Sequence, residues 1–196
     1  MRIIAGTVRG RKLFTPGRGA AVSAIRPTAD RVREAVFNIL GDRVAAAATL
    51  DLFAGTGALG LEALSRGCGR AMFVDTSPDA IRLIKKNLEV CGFSDRATVI
   101  RRDLLQNPSF LLKIRPASGF DLIFIDPPYR RAISAKILKY LGGSPLLSEA
   151  GIVVVEEAAD VALPANIAGL QGFDRRLYGD TAIFFYRHNQ EENQHE

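Results

Sequence analysis

The chain has 196 residues, 47% of them hydrophobic and 24% charged, which is enough for one well-buried domain and short for two. No apolar run is long enough to span a membrane, and the opening Met1-Arg2-Ile3-Ile4-Ala5-Gly6 lacks the apolar core of a secretory leader, so a cytoplasmic setting with no membrane partner is expected. The formal charge is +5, yet residues 1–43 hold nine Lys or Arg against three Asp or Glu, and the rest of the chain holds 17 against 18.

The positive excess therefore falls on the first elements. Residues 2–5 and 11–14, around Gly6 and Gly10, predict a small hairpin or extended arm. It carries Arg9, Arg11 and Lys12. A basic segment beside a neutral body fits a polyanion, with nucleic acid first in line, although a merely solvated surface also accounts for the charge. Residues 15–25 hold Pro16, Gly17, Gly19 and Ser23 and predict a flexible loop. A helix is expected after Pro27, with Thr28 as N-cap and Asp30 in its first turn. Val32, Val36, Phe37, Ile39 and Leu40 form its apolar face and Gly41 ends it.

From Thr49 onward strands and helices alternate. Strands are expected at 50–53, 70–75, 97–101, 120–125 and 151–156. Helices are expected at 58–66, from Ser77 and Pro78 to Gly92, around 103–114, and near 131–141. Two further strands near 172–178 and 181–187 flank Gly179-Asp180, a hairpin turn signal, so this last pair should be antiparallel. Such alternation implies a parallel sheet covered on both faces. With about seven strands and an antiparallel C-terminal hairpin, it is the Rossmann-like α/β architecture usual for methyltransferases that use S-adenosylmethionine. The expected division is an arm over 1–25, the catalytic domain over 26–187, and a disordered polar tail over 188–196. Cys68 and Cys91 lack metal-ligand spacing and are expected to be reduced, with no bound metal. His188 and His195 lie in or beside the tail and are not expected to be catalytic.

Gly55-Thr56-Gly57-Ala58-Leu59-Gly60 is a literal G-x-G-x-x-G between a strand and a helix, with Asp75 about 20 residues on. A dinucleotide cofactor fits that fingerprint, with pyrophosphate on the helix N-terminus. Two features oppose it. Asp51, four residues before Gly55, would repel pyrophosphate and would suit the ammonium and sulfonium of S-adenosylmethionine. No second mononucleotide half is evident. Asp75 would hold an adenosine ribose under either reading. Asp103, next to Leu104 after the third strand, is placed either to accept from an adenine amino group or to cap a helix. The candidate cofactor contacts are thus Asp51, Phe53, Gly55, Thr56, Gly57, Asp75, Asp103 and Leu104.

Asp126-Pro127-Pro128-Tyr129 comes directly after the apolar run 120–125, at the end of a strand where open α/β sheets bind ligands. The prolines cannot donate and stiffen the turn, which leaves carbonyls there as fixed acceptors. A carboxylate and a carbonyl beside an aromatic suit the exocyclic amine of a planar ring, with Tyr129 stacking on that ring. A rigid turn with an ordinary Asp is the bland alternative. If the ring is a nucleobase, it must be unpaired or flipped out to reach the site. Arg130 and Arg131 come next and would either hold flanking phosphates or remain solvated.

Arg2-Ile3-Ile4-Ala5-Gly6, Arg9-Gly10-Arg11-Lys12-Leu13 and the run from Arg26 to Asn38, Arg-Pro-Thr-Ala-Asp-Arg-Val-Arg-Glu-Ala-Val-Phe-Asn, resemble the N-terminal signature of the bacterial small-subunit ribosomal RNA guanine-N2 methyltransferases of the RsmD type. Asp51 to Gly60, Asp126 to Tyr129 and Tyr178-Gly179-Asp180-Thr181 come in the order that family shows. Ala5 departs from its frequent Gly. The resemblance implies methyl transfer from S-adenosylmethionine to the N2 amine of one guanine in 16S rRNA, within the 30S subunit or an assembly intermediate. It implies that the Thr28 region lines the methionine end of the cofactor and that the basic arm, with Arg26, contacts RNA. A monomer is expected. The competing readings are an adenine-N6 DNA methyltransferase sharing the same turn, an NAD-linked oxidoreductase sharing the glycine loop, and a catalytically silent RNA-binding module.

Overall fold

The computed structural model describes residues 1–16, 27–128 and 132–189. Its sheet begins with five parallel strands: β1 (Ala48–Leu52), β2 (Arg70–Asp75), β3 (Ala97–Arg101), β4 (Phe120–Ile125) and β5 (Leu147–Ala158), in the spatial order β3-β2-β1-β4-β5. The Val, Ile, Leu and Phe content of β1, β4 and β5 suits strands buried on both faces. Crossovers run through α2 (Ala58–Ser65), α3 (Pro78–Cys91), α4 (Phe110–Ile114) and α5 (Ile133–Gly142). The strand order reverses between β1 and β4, so the crevice beyond their carboxyl ends is where an open sheet takes its ligand.

Alternation along the strands divides the core. Leu122, Phe124, Ile152 and Val154 face α2, α3 and the N-terminal helix α1 (Pro27–Leu40). Leu50, Leu52, Ile123, Ile125, Val153 and Val155 face α4 and α5. The sheet continues antiparallel from β5 to β8 (Thr181–His188) and then β7 (Leu170–Tyr178), joined through Gly179-Asp180. A two-residue strand β6 (Asn166–Ile167) pairs with β7 and makes eight strands instead of about seven.

Several boundaries differ from the sequence reading. The helix expected around 103–114 is helical only from Phe110. Asp103 Oδ1 accepts from the N–H groups of Leu105 and Gln106 at 2.8 and 3.4 Å and forms a turn of its own, and Pro108 blocks a helix from running on out of that turn. The first helix begins at Pro27 itself, so Thr28 stands inside its first turn and not ahead of it. His188 closes β8, and the Asn189 N–H donates to the Gly169 carbonyl at 2.9 Å, so these two residues belong to the body and not to a tail. The remainder of the expected tail and most of the expected 15–25 loop lie outside the described residues.

The N-terminal segment forms a short antiparallel pairing, with Arg2 opposite Lys12 and the Ile3 N–H on the Arg11 carbonyl at 3.0 Å. Ile3 and Leu13 are buried. The segment is fastened to α2 by polar contacts. Glu62, wholly buried, accepts from the Ile4 and Ala5 N–H groups at 2.8 and 3.0 Å and from Arg66 Nε at 2.8 Å. Ser65 Oγ donates to the Ala5 carbonyl at 2.6 Å. Gly6 has φ +85, and a Cβ there would lie 1.9 Å from the Ser65 carbonyl oxygen, so only glycine permits this approach. The buried Arg33 of α1 joins the same network through the Arg2 carbonyl at 2.6 Å and Asp30 at 2.9 Å. Among the described residues no helix is long and apolar enough to cross a membrane.

Candidate active site

The glycine loop leaves the end of β1. Phe53 adopts φ 60, a left-handed conformation costly for a bulky residue and characteristic of constrained sites. Asp75, at the end of β2, receives the Gly55 N–H on Oδ2 at 2.9 Å and the Ser77 N–H on Oδ1 at 2.8 Å. It thereby holds the loop and the start of α3 in one arrangement. Gly57, with φ 78, is the N-cap position of α2.

Asp51 is 1% exposed, and its Oδ2 accepts the Gly60 N–H at 2.9 Å. A Cβ on Gly60 would lie 2.3 Å from the Phe73 ring and 3.2 Å from that same oxygen, so the third glycine lets the helix and the carboxylate meet. Burial pushes the Asp51 carboxyl from 3.8 to about 7; the Gly60 hydrogen bond opposes the rise and the charge of Asp75 adds to it. A carboxylate thus occupies the N-terminus of α2, where a dinucleotide's pyrophosphate would have to sit. The arrangement repels a phosphate and attracts a cation.

The cleft has two halves of about 170 and 450 Å³ that share Phe53, Gly55 and Asp126. Thr56 and Asp51 line the first half, with Met1, Val32, Arg33, Val36 and Glu156. Asp75, Thr76, Pro127 and Pro128 line the second. The acidic turn and the glycine loop, 70 residues apart in sequence, therefore form one cavity. The Asp126 N–H donates to the Leu52 carbonyl at 3.4 Å, which ties the turn to the end of β1.

Asp126 is open to the cleft, yet the protein packed around it raises its carboxyl well above the usual range. The negative charges of Glu156, then Asp51, then Glu157 act in the same direction. The charge crowding is the firmer cause, because the open side leaves the carboxyl within reach of water. The crowding is a consequence of the pleat. Asp51 pairs with Phe124, and Phe124 with Val154, so Asp51, Asp126 and Glu156 project from adjacent strands toward α1. Glu157 points to the other face, buried, and accepts from Ser134 Oγ at 2.7 Å.

Of the residues named from sequence, Asp51, Phe53, Gly55, Thr56, Asp75, Asp126, Pro127 and Pro128 line the cleft, and Gly57 stands behind it. Asp103 has one oxygen committed to its own turn, and Leu104 is buried in the core on the α4 and α5 face. Arg9, Arg11 and Lys12 are exposed around a groove that includes Phe14, whose ring carries Lys86 Nζ at 3.7 Å. Tyr129, Arg130, Arg131, Arg26 and the Thr28 side chain lie outside the described residues. Sequence reading missed Met1, Val32, Arg33, Val36 and Glu156. The alternation of β5 carries the signal for Glu156, two residues beyond the inward-facing Val154.

The model of the family described as conserved hypothetical protein 95 matches residues 1–187. Ribosomal RNA small subunit methyltransferase D of Escherichia coli strain K12 is 34% identical over 187 residues, covering 95% of this chain and 89% of that protein. The protein of the same name from Haemophilus influenzae is 36% identical over 165 residues, covering 83% and 81%. Among solved structures, yhhF of Escherichia coli superposes with a TM-score of 0.80 at 33% identity, covering 96% of this chain and 98% of that one.

Proposed function

The chain belongs to the family of ribosomal RNA small subunit methyltransferase D, and we propose that it transfers a methyl group from S-adenosylmethionine to the exocyclic N2 amine of a guanine in 16S rRNA. One observation carries the reading beyond kinship. A buried carboxylate suited to a cation, Asp51, and an acceptor turn suited to an amine, Asp126 and Pro127, open into a single cleft.

The residues fit this cofactor better than a dinucleotide, because Asp51 holds the α2 N-terminus. Asp51 and the Gly55–Gly57 loop would hold the methionine end, with Thr28 beside them, and Asp75 the ribose. Asp103 and Leu104 would stand at the adenine. S-adenosylmethionine supplies an electrophilic methyl group. The Asp126 carboxylate and Pro127 carbonyl each accept a hydrogen bond from the amine and turn the nitrogen lone pair outward, stabilising the positive charge that develops there. As the nitrogen gains its methyl group it releases one proton. The Asp126 carboxylate, already hydrogen-bonded to that amine, takes the proton and passes it to water. Tyr129 would stack on the ring, worth ~1–3 kcal/mol, and fix it in line for transfer. Arg9, Arg11, Lys12, Arg26, Arg130 and Arg131 would hold RNA phosphates.

The substrate form is the 30S subunit or an assembly intermediate, acted on by a monomer in the cytoplasm without a metal. The test is methyl transfer from labelled cofactor to small-subunit particles, with nucleoside analysis of the product. N2-methylguanosine is the expected result. Label on adenine of DNA and none on rRNA sinks the reading, and binding of NAD in place of S-adenosylhomocysteine sinks the cofactor assignment.

A further inference from the structure

We propose that Glu156 is a specificity-determining residue: its carboxylate accepts the N1–H of the target guanine while Asp126 holds the adjacent N2 amine. The inference rests on the methyltransferase reading above.

Strand geometry brings the two carboxylates level. Ile125 pairs with Val155 on β5, so the next residues, Asp126 and Glu156, stand side by side on strands roughly 4.8 Å apart. Phe124 and Val154, two residues earlier, both belong to the core under α1, so the pleat sends Asp126 and Glu156 to that same side. Both line the half of the cleft that contains Asp51, and Val32 and Val36 of α1 give it an apolar wall. Neighbouring polar groups take different positions. Asp51 sits one pleat deeper against Gly60. Arg33 is engaged by the Arg2 carbonyl and Asp30. Glu157 faces away toward Ser134.

Guanine presents neighbouring N1–H and N2–H donors on its Watson–Crick edge, and two acceptors side by side match that pair. Adenine presents an N1 lone pair in the corresponding place. A carboxylate facing it would set acceptor against acceptor, which costs far more than a lost contact. Glu156 thus selects by rejection as well as attraction.

The test uses small-subunit particles reconstituted with 16S rRNA bearing guanine or 2-aminopurine at the position the wild-type enzyme methylates. 2-Aminopurine keeps the N2 amine and lacks N1–H. The wild-type enzyme should prefer guanine by roughly 100-fold or more in kcat/KM. Glu156→Gln, whose amide can donate to a bare N1, should lower guanine turnover by roughly 10- to 100-fold and shrink the preference below about tenfold, with S-adenosylhomocysteine affinity within threefold of wild type. An unchanged preference in Glu156→Gln overturns the proposal alone. A more than tenfold loss of S-adenosylhomocysteine affinity also overturns it, by moving Glu156 to the cofactor. Absence of N2-methylguanosine from the wild-type reaction overturns the methyltransferase reading and this proposal with it.

Discussion

Replacing Asp51 with Asn should make the cofactor-free protein more stable while weakening its cofactor site, and the gain should grow with pH. The carboxyl is buried and titrates at about 7 in place of 3.8, chiefly through desolvation. Between those values the folded chain holds a proton that the unfolded chain has released, so stability falls as pH rises through the window. At about 1.36 kcal/mol per pKa unit, the raised titration of Asp51 costs the folded state about 4 kcal/mol at pH 8, where the carboxyl is ionised, and about 1.6 kcal/mol at pH 5, where it must take up a proton. Asn keeps an oxygen for the Gly60 N–H and carries no charge. Asp51→Asn should therefore stabilise the protein by up to about 4 kcal/mol at pH 8, and by about 2.5 kcal/mol less at pH 5. In melting temperature, the gap between variant and wild type should widen by roughly 5–10 °C over that range. Urea unfolding monitored by circular dichroism at both pH values measures the gain. Calorimetry with S-adenosylhomocysteine should show at least tenfold weaker binding. A stability gain that is equal at pH 5 and pH 8, or a loss at pH 8, would refute the reasoning.

Asp126→Ala should lower methyl transfer by roughly 100-fold or more while S-adenosylhomocysteine binding stays within a few-fold; near-normal turnover would remove the carboxylate from the chemistry. Replacing Arg11 and Lys12 together with Ala should weaken particle binding and reduce the log–log salt slope by about 1.4 to 1.8; an unchanged slope would mean that the arm does not touch RNA. Gly6→Ala meets the Ser65 carbonyl and an unfavourable φ at once, so thermal unfolding should show a loss of about 2–4 kcal/mol, and a melting temperature within 1 °C of wild type would contradict the packed arm. Ser134→Ala removes the donor to Oε1 of buried Glu157 and leaves that carboxylate only the Ala158 N–H on Oε2 at 3.3 Å, so it should cost about 1–3 kcal/mol by urea unfolding; a neutral result would mean that the Ser134 hydrogen bond adds nothing to stability.

Legibility in the sequence tracked the range of the interaction. The parallel strands were readable because their apolar runs record burial on both faces, and the closing hairpin because Gly179-Asp180 states its own turn. The helix assigned to 103–114 was overextended because the side chain of Asp103 competes with helix for the same N–H groups, a contest that apolar periodicity does not register. A strand as short as β6 has no periodicity to read. The cleft was half legible. Asp51, Asp75 and Asp126 stand within a few residues of glycines or prolines that punctuate the chain, whereas Glu156 lies inside β5 with no such mark beside it. Only the pairing of β4 with β5 shows that it stands beside Asp126.

Glu62 and Arg33 were hidden for a related reason: a lone Glu in the apolar run of α2 and an Arg among the charged residues of α1 both read as solvated positions, and each is buried. Their burial has a functional consequence under the proposed reading. An isolated buried carboxylate is costly, but Glu62 satisfies two arm N–H groups and Arg66, and Arg33 adds the Arg2 carbonyl and Asp30 while lining the cleft. The basic arm, α1, α2 and the cleft wall thus share one polar network. A phosphate held by Arg9, Arg11 or Lys12 is then held at a fixed offset from Asp126, which converts non-specific attraction for RNA into positioning of a single base. Loosening that network should raise KM for particles and lower kcat together, a signature different from loss of charge on the arm, which should act on KM alone.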